Sequence, residues 1–253
     1  MDIASVAGLI IGISAVMLAF FLEGGNFTSV LQLPAMILVI FGTIGAATVT
    51  TSLKTLVNLP NLLKVVFLGK PQEPHKVVST IGTLAETARR EGLLGLEDDY
   101  QKMTEPFLKK SLQLVIDGTN IMTLRTILET EMVNIGERHK TGQTFFQKLG
   151  GFSPTLGIIG TVLGLINALS TSGDPQTMAT HIASAFIATL WGISLANLIY
   201  LPISDKLKYR NREEMRCLEL IIEGMISIQT GENPRVIRNK LLSFITPEER
   251  LVK

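Results

Sequence analysis

The sequence predicts an all-α membrane protein with four transmembrane helices, a helical cytoplasmic domain inserted between the second and third, and a cytoplasmic helical tail at the C-terminus. Three observations predict it. Four uncharged apolar stretches are each long enough to cross a hydrocarbon core of about 30 Å as helices. All 23 Lys and Arg residues fall into two segments outside those stretches. No segment carries a convincing strand alternation, whereas three- and four-residue apolar spacings recur between the stretches. The composition agrees: only 18% of residues are charged and the mean hydropathy is +0.36.

The first span covers residues 3–22, the second 33–53, the third 149–169 and the fourth 182–203. Hydrocarbon offers no water to solvate the backbone, so each must satisfy its own amides as a helix. The N-terminus lacks a basic leader and a small-residue cleavage site before a soluble domain, so no cleaved signal peptide is expected. The connections 23–32 and 170–181 contain no Lys or Arg, whereas 54–148 and 206–253 contain all of them. The positive-inside rule therefore places the two basic segments and both termini in the cytoplasm. The chain divides into a hairpin at 1–53, a cytoplasmic domain at 54–148, a second hairpin at 149–203 and a tail at 204–253.

Within the insertion, Leu56, Leu59, Leu62, Leu63, Val66 and Phe67 repeat at helical spacing, as a helix continuing from the second span would. Pro71 and Pro74 interrupt it. Further helices are expected near 75–91, 106–117 and 121–139, with Gly92 and Gly118 as stops. In the tail, a charged helix runs to about Gln229 and ends at Gly231. Asn233-Pro234 then supplies a cap and first-turn proline for a last helix through Phe244.

The spans are most informative in what they lack. None contains Asp, Glu, Lys, Arg or His. A pump or proton channel normally needs an ionisable group at that depth, so if this protein moves ions the carrier carboxylate must come from another chain. What the spans do contain is small and weakly polar. Gly157, Gly160 and Gly164, with Ala183, Ser184, Ala188, Gly192, Ser194 and Ala196, either pack helices closely or form the wall of an oligomer that admits a partner helix. Thr161 and Thr189 either bond the carbonyl one turn back or face a cation path. Pro154 and Pro202 remove backbone bonds towards Gly150 and Leu198, marking either helix ends or a hinge between membrane and cytoplasm.

Other function classes find little support. A net charge of +1 gives no field for nucleic acid. One cysteine, Cys217, permits no intrachain disulfide, and it reads as a structural thiol. His75, His139 and His181 lack metal-ligand spacing. No P-loop, G-x-S-x-G or H-E-x-x-H pattern occurs, so an enzyme is not expected, and no cofactor is called for. Trp191 reads as mid-span packing. A self-contained channel sits badly with the chargeless spans.

Four sets of residues carry a family resemblance. The stretch from Pro154-Thr155-Leu156-Gly157 through Gly160-Thr161 to Gly164-Leu165 resembles the third-span pattern of MotA/PomA flagellar stator proteins. Ala188-Thr189-Leu190-Trp191-Gly192, followed by Pro202, resembles their fourth span. Arg89-Arg90-Glu91-Gly92-Leu93 through Glu97 resembles their cytoplasmic motif. Glu223-Gly224 and Gly231-Glu232-Asn233-Pro234-Arg235 resemble their tail motif. The likeness runs over essentially the whole chain, in order.

The resemblance implies a homo-oligomeric ring, a pentamer, in the lipid of the bacterial inner membrane. It surrounds a MotB/PomB-type single-span partner that carries an intramembrane aspartate. Flow of H+ or Na+ through that aspartate would turn the ring and push the rotor protein FliG. Arg89 and Glu97 match the family's rotor-facing charges, with Arg90 beside them; Pro154 and Pro202 match its two proline positions. Thr161 matches a position where sodium-driven members carry threonine and several proton-driven members alanine, which favours Na+; Thr189 matches a threonine found in both. The alternative is an ExbB/TolQ-type motor subunit, which usually has three spans with the insertion after the first. One charge crossing about 100 mV releases about 2.3 kcal/mol, so each ion would support a small step against weak, salt-screened rotor contacts.

Overall fold

A computed structural model describes residues 3–69, 73–171 and 174–247, and among these every regular element is helical. In chain order they are α1 (Ile3–Leu22), α2 (Phe27–Val30), α3 (Leu33–Val49), α4 (Leu53–Val57), α5 (Leu59–Leu68), α6 (Pro74–Glu91), a 3₁₀ turn (Leu93–Leu96), α7 (Glu97–Lys102), α8 (Pro106–Ile116), α9 (Ile121–Ser170), α10 (Pro175–Leu195), a π-helical turn (Ala196–Tyr200), α11 (Leu201–Gln229) and α12 (Pro234–Leu242). The breaker Pro71 lies outside the described residues.

The apolar stretches meet different fates. α1 matches its predicted bounds and buries no residue of its own. The second stretch stops early, at Val49 rather than residue 53. Thr50 bends its hydroxyl back to the Ala47 carbonyl at 2.8 Å, and Ser52 caps a new helix by accepting from the Thr55 amide at 3.4 Å. Lys148 donates to the freed Thr50 carbonyl at 3.3 Å, a cation at a helix C-terminus. The apolar-basic helix is thus not a continuation of the second span but two separate helices, α4 and α5. α3 has 17 residues, a rise of about 25 Å and the lower end of what can span. Among the described residues, the helices of 18 or more residues that are apolar enough to cross a membrane are Ile3–Leu22, Ile121–Ser170 and the run Pro175–Gln229.

Two further expectations need correction. The helix foreseen at 121–139 and the third span are one helix of 50 residues, α9. Residues 140–148 carry no proline, and Gly142 sits where a Cβ would lie 2.6 Å from Leu62 Cδ1, so the glycine serves packing rather than a stop. The fourth span and the tail helix likewise form one helical run, Pro175–Gln229. Pro154 and Pro202 therefore lie inside helices and do not mark helix ends.

The chain forms two compact units. The first comprises Met1–Lys70 and His139–Tyr209; the second comprises Pro71–Arg138 and Arg210–Lys253. Packing and hydropathy thus divide the chain at different residues. In the first unit, Ala47, Val66, Phe145, Phe146, Leu149, Ile203 and Leu207 form a buried cluster, with the Phe145 and Phe146 rings edge to face. In the second, Ile81 and Leu84 of α6, Leu112 of α8, Leu124 and Leu128 of α9, Leu220 and Met225 of α11, and Ile237 and Leu241 of α12 close a larger core. α11 ends in a double hydrogen bond, Gly231 N–H to Ile228 and Glu232 N–H to Ser227, with Gly231 at φ +77°. This is the left-handed stop that glycine permits.

Candidate functional site

The pairing of α9 with α10 is set by glycine. A Cβ on Gly157 would stand 3.0 Å from the Ala188 carbonyl oxygen and 3.1 Å from Thr189 Cα. One on Gly160 would stand 2.6 Å from Ala188 Cβ, and one on Gly164 2.7 Å from Ala185 Cβ. Gly192 reciprocates: its Cβ would meet the Ser153 carbonyl oxygen at 2.7 Å. Between apolar helices in lipid, close backbone approach and dispersion replace the hydrophobic drive. Gly157, Gly160, Gly164, Ala188 and Gly192 are therefore consumed within the chain, so the plain packing reading holds for them. Ser153, fully buried, adds a 2.9 Å hydrogen bond to the Gly192 carbonyl.

This close approach brings Thr161 and Thr189 together. Their hydroxyls hydrogen-bond each other. Thr161 Oγ1 also lies 3.1 Å from the carbonyls of Gly157, one turn back, and of Ala185, on the facing helix. Thr189 Oγ1 reaches the Gly157 carbonyl at 3.5 Å. The self-bonding expected of both threonines is made by Thr161, whereas Thr189 bonds across to α9, and four oxygens converge. Such a cluster offers a dehydrating cation hard oxygen ligands but no neutralising charge. Among the described residues no group of three or more His, Cys, Asp or Glu could hold a metal.

Pro154 stands one residue after Ser153 and one turn before Gly157. It has no amide to offer the Gly150 carbonyl, so α9 lacks a rung next to Ser153, whose carbonyl lies against Gly192. Pro202 has a different accommodation. Ahead of it the helix widens into the π turn, in which the Leu201 amide bonds the Ala196 carbonyl five residues back. A π turn re-routes the ladder around a missing donor. The sequence carried no sign of it beyond the proline.

The charges resembling a rotor contact lie in the second unit. Arg89 and Arg90 close the last turn of α6, and Glu97 opens α7; all three are exposed. Arg89 Nη1 donates to the Gly231 carbonyl at 3.4 Å, which ties the cytoplasmic motif to the turn of the tail motif. The 3₁₀ turn, anchored by fully buried Leu96, lies between Arg89 and Glu97 in the chain.

Three contacts are not legible in the sequence, although Glu223 and Gly224 stand in the tail motif. Trp191 donates from Nε1 to the Val30 carbonyl at 2.9 Å, pinning α2, so it is more than packing. An indole buried in apolar surroundings needs an acceptor, and that was the available signal. Glu223 of α11 bonds Arg125 of α9 at 2.8 Å and Lys240 of α12 at 3.2 Å. Burial pushes the Glu223 carboxyl up, but hydrogen bonds from Arg125 and Lys240 more than reverse this and hold it below its ordinary value. Gly224, next to it, gives Ile81 room: a Cβ there would stand 2.6 Å from Ile81 Cγ2.

Comparison with known proteins agrees with this geometry. Residues 6–92 match the Motility protein A N-terminal family, and residues 99–220 the MotA/TolQ/ExbB proton channel family. Motility protein A of Bacillus subtilis is 33% identical over 252 residues, covering 99% of this chain and 93% of that protein. The structure of C. jejuni MotAB superposes with a TM-score of 0.93 at 30% identity, over 98% of this chain and 97% of that one. The flagellar MotAB stator complex of Bacillus subtilis gives a TM-score of 0.91 at 33% identity, over 98% of both chains. The all-helical fold, the glycine-paired helices with their threonines, and a likeness running end to end place this chain in the motility protein A (MotA) family of stator proteins.

Proposed function

We propose that the chain is the ring-forming subunit of a flagellar stator, coupling cation flow through the bacterial inner membrane to torque on the rotor. The observation that carries this is the chargeless apolar wall combined with full-length likeness to subunits solved as MotAB complexes. A wall without an ionisable group has nothing to take up and release a proton or neutralise a bound cation at membrane depth; a MotB-type single-span partner with an intramembrane Asp supplies that group. The match to the Motility protein A N-terminal family over residues 6–92 favours this over an ExbB/TolQ-type role.

In this reading α1, α3 and the apolar parts of α9 and α10 are four spans, and both termini and the basic segments are cytoplasmic. Copies of the chain form a ring, a pentamer, around the partner. Thr161 and Thr189 lie beside the ion path and supply oxygens to a partly dehydrated Na+. Pro154 and the π turn before Pro202 pass motion into the second unit, where Arg89, Arg90 and Glu97 engage FliG. Exposed charges of this kind bind by about 0–1 kcal/mol per pair, which suits repeated release.

The test is reconstitution. Vesicles holding this chain with a single-span Asp-bearing partner should take up Na+, and vesicles holding the chain alone should not. Flux through the chain alone would overturn the division of roles. Thr161→Ala should flatten the dependence of swimming speed on sodium concentration; an unchanged sodium titration would remove the sodium assignment.

A further inference from the structure

A cavity of about 490 Å³ opens in the first unit between α1, α5 and the segment that contains the π turn and Pro202. Its wall changes character along its length. Gly8 and Gly12 of α1 face it with no side chain, and Leu198 and Phe67 are apolar, whereas Asp205, Lys206 and Tyr209 line it from α11. The width changes too. A Cβ added at Gly8 meets nothing within 4 Å, but one at Gly12 meets Leu198 Cδ2 at 3.2 Å. The cavity is therefore wide near the start of α1 and tapers one helical turn further in, about 6 Å. Lys206 Nζ stands 5.3 Å from the centroid of the Tyr209 ring, and Tyr209 is half exposed. An aromatic beside a lysine at the end of an apolar span is the composition of a membrane–water boundary.

We propose that this cavity binds the headgroup of a membrane phospholipid that carries both a phosphate and a primary ammonium. The inference rests on the membrane placement given above. Charge selects the ligand. An anionic headgroup would meet the Asp205 carboxylate, and a purely cationic one would meet Lys206. A zwitterionic headgroup satisfies both, with phosphate oxygens accepting from the Lys206 ammonium and its own ammonium donating to Asp205. An ammonium has three donors, so Lys206 can serve a phosphate oxygen while it stands over the ring. The acyl chain then leaves along the Gly8 face of α1, short of the point where Leu198 closes on Gly12. Bound there, the lipid packs against the π turn and Pro202, and so bears on the segment proposed to transmit motion.

The experiment uses the full chain purified in detergent, delipidated, and read by native mass spectrometry with added phosphatidylethanolamine, phosphatidylcholine or phosphatidylglycerol. Phosphatidylcholine keeps the phosphate but has no N–H for Asp205, and phosphatidylglycerol has no cation. Phosphatidylethanolamine should be retained about tenfold better than either. Lys206→Ala and Asp205→Asn should each remove that preference. Gly8→Phe, placed in open space and hence compatible with folding, should block retention by filling the cavity. Equal retention of the three lipids, preference for phosphatidylglycerol, or undiminished binding to Gly8→Phe would overturn the proposal. Cross-linking between cysteines placed at Gly8 in two copies would assign the cavity to a second copy and overturn it as well. Failure of the membrane placement reads differently: the chain would then leave the membrane fraction on alkaline washing.

Discussion

At the scale of the residue, the tail motif shows how one dipeptide can do two jobs. Glu223 joins α9, α11 and α12 through Arg125 and Lys240, while Gly224 removes the side chain that would strike Ile81. Both consequences are measurable. A carboxyl held below its ordinary value stabilises the fold above its unfolded-state pKa, and that stability is lost as pH falls through the lowered folded value. The melting temperature should therefore fall on acidification through the lower carboxylate range, and Glu223→Gln should flatten this fall while melting lower at neutral pH. Equal acid sensitivity in wild type and variant would show that Glu223 contributes nothing there. Gly224→Ala places a Cβ 2.6 Å from a buried isoleucine and should destabilise the second unit by about 1–3 kcal/mol in denaturant unfolding. Among the described residues the buried Thr43 hydroxyl has no hydrogen-bond partner, so Thr43→Val, which keeps the shape, should be neutral or slightly stabilising.

At the scale of the element, long helices interrupted by proline are the feature that local stability alone would disfavour. A proline inside a helix costs about 3 kcal/mol. Pro154 sits beside the close approach of Ser153 and Gly157 to Gly192, and Pro202 follows a π turn. Pro202→Ala restores an amide and allows an ordinary ladder, so it should raise thermal stability while lowering swimming speed, with membrane level unchanged. A variant that is both more stable and fully motile would leave the π turn without a mechanical role. Trp191 works on a shorter element. Its bond to the Val30 carbonyl holds a helix of four residues that could not persist alone.

At the scale of the whole molecule, function depends on how charge is partitioned. The apolar stretches hold none, and the second unit presents Arg89, Arg90 and Glu97 on exposed surface. Arg89→Glu or Glu97→Lys should reduce swimming, most strongly at low ionic strength, and leave membrane level and partner association intact. Loss of assembly instead would move these residues from rotor contact to scaffold. The tether from Arg89 to the Gly231 carbonyl predicts a further asymmetry: Gly231→Ala, strained at φ +77°, should disturb Arg89 but spare Arg90 and Glu97.

Much of this was legible in the chain itself. An uncharged run of about 20 residues has one stable form in lipid, so α1 and the helical character of the other stretches followed from composition alone. So did the caps at Gly231 and Asn233, where local geometry admits few residues. The motif residues Pro154, Thr161, Thr189 and Pro202 were found by pattern, but their arrangement was not. Whether Thr161 touches Thr189, whether Gly157 serves a neighbour in the same chain, and where the Pro202 donor gap is absorbed depend on a partner surface far away in sequence. Helix length was misjudged for the same reason: hydropathy changes at residue 149 whereas the hydrogen-bond ladder of α9 does not. Composition reports which solvent a segment prefers; only tertiary packing decides which backbone groups meet, because those contacts are made between segments that carry no local record of each other.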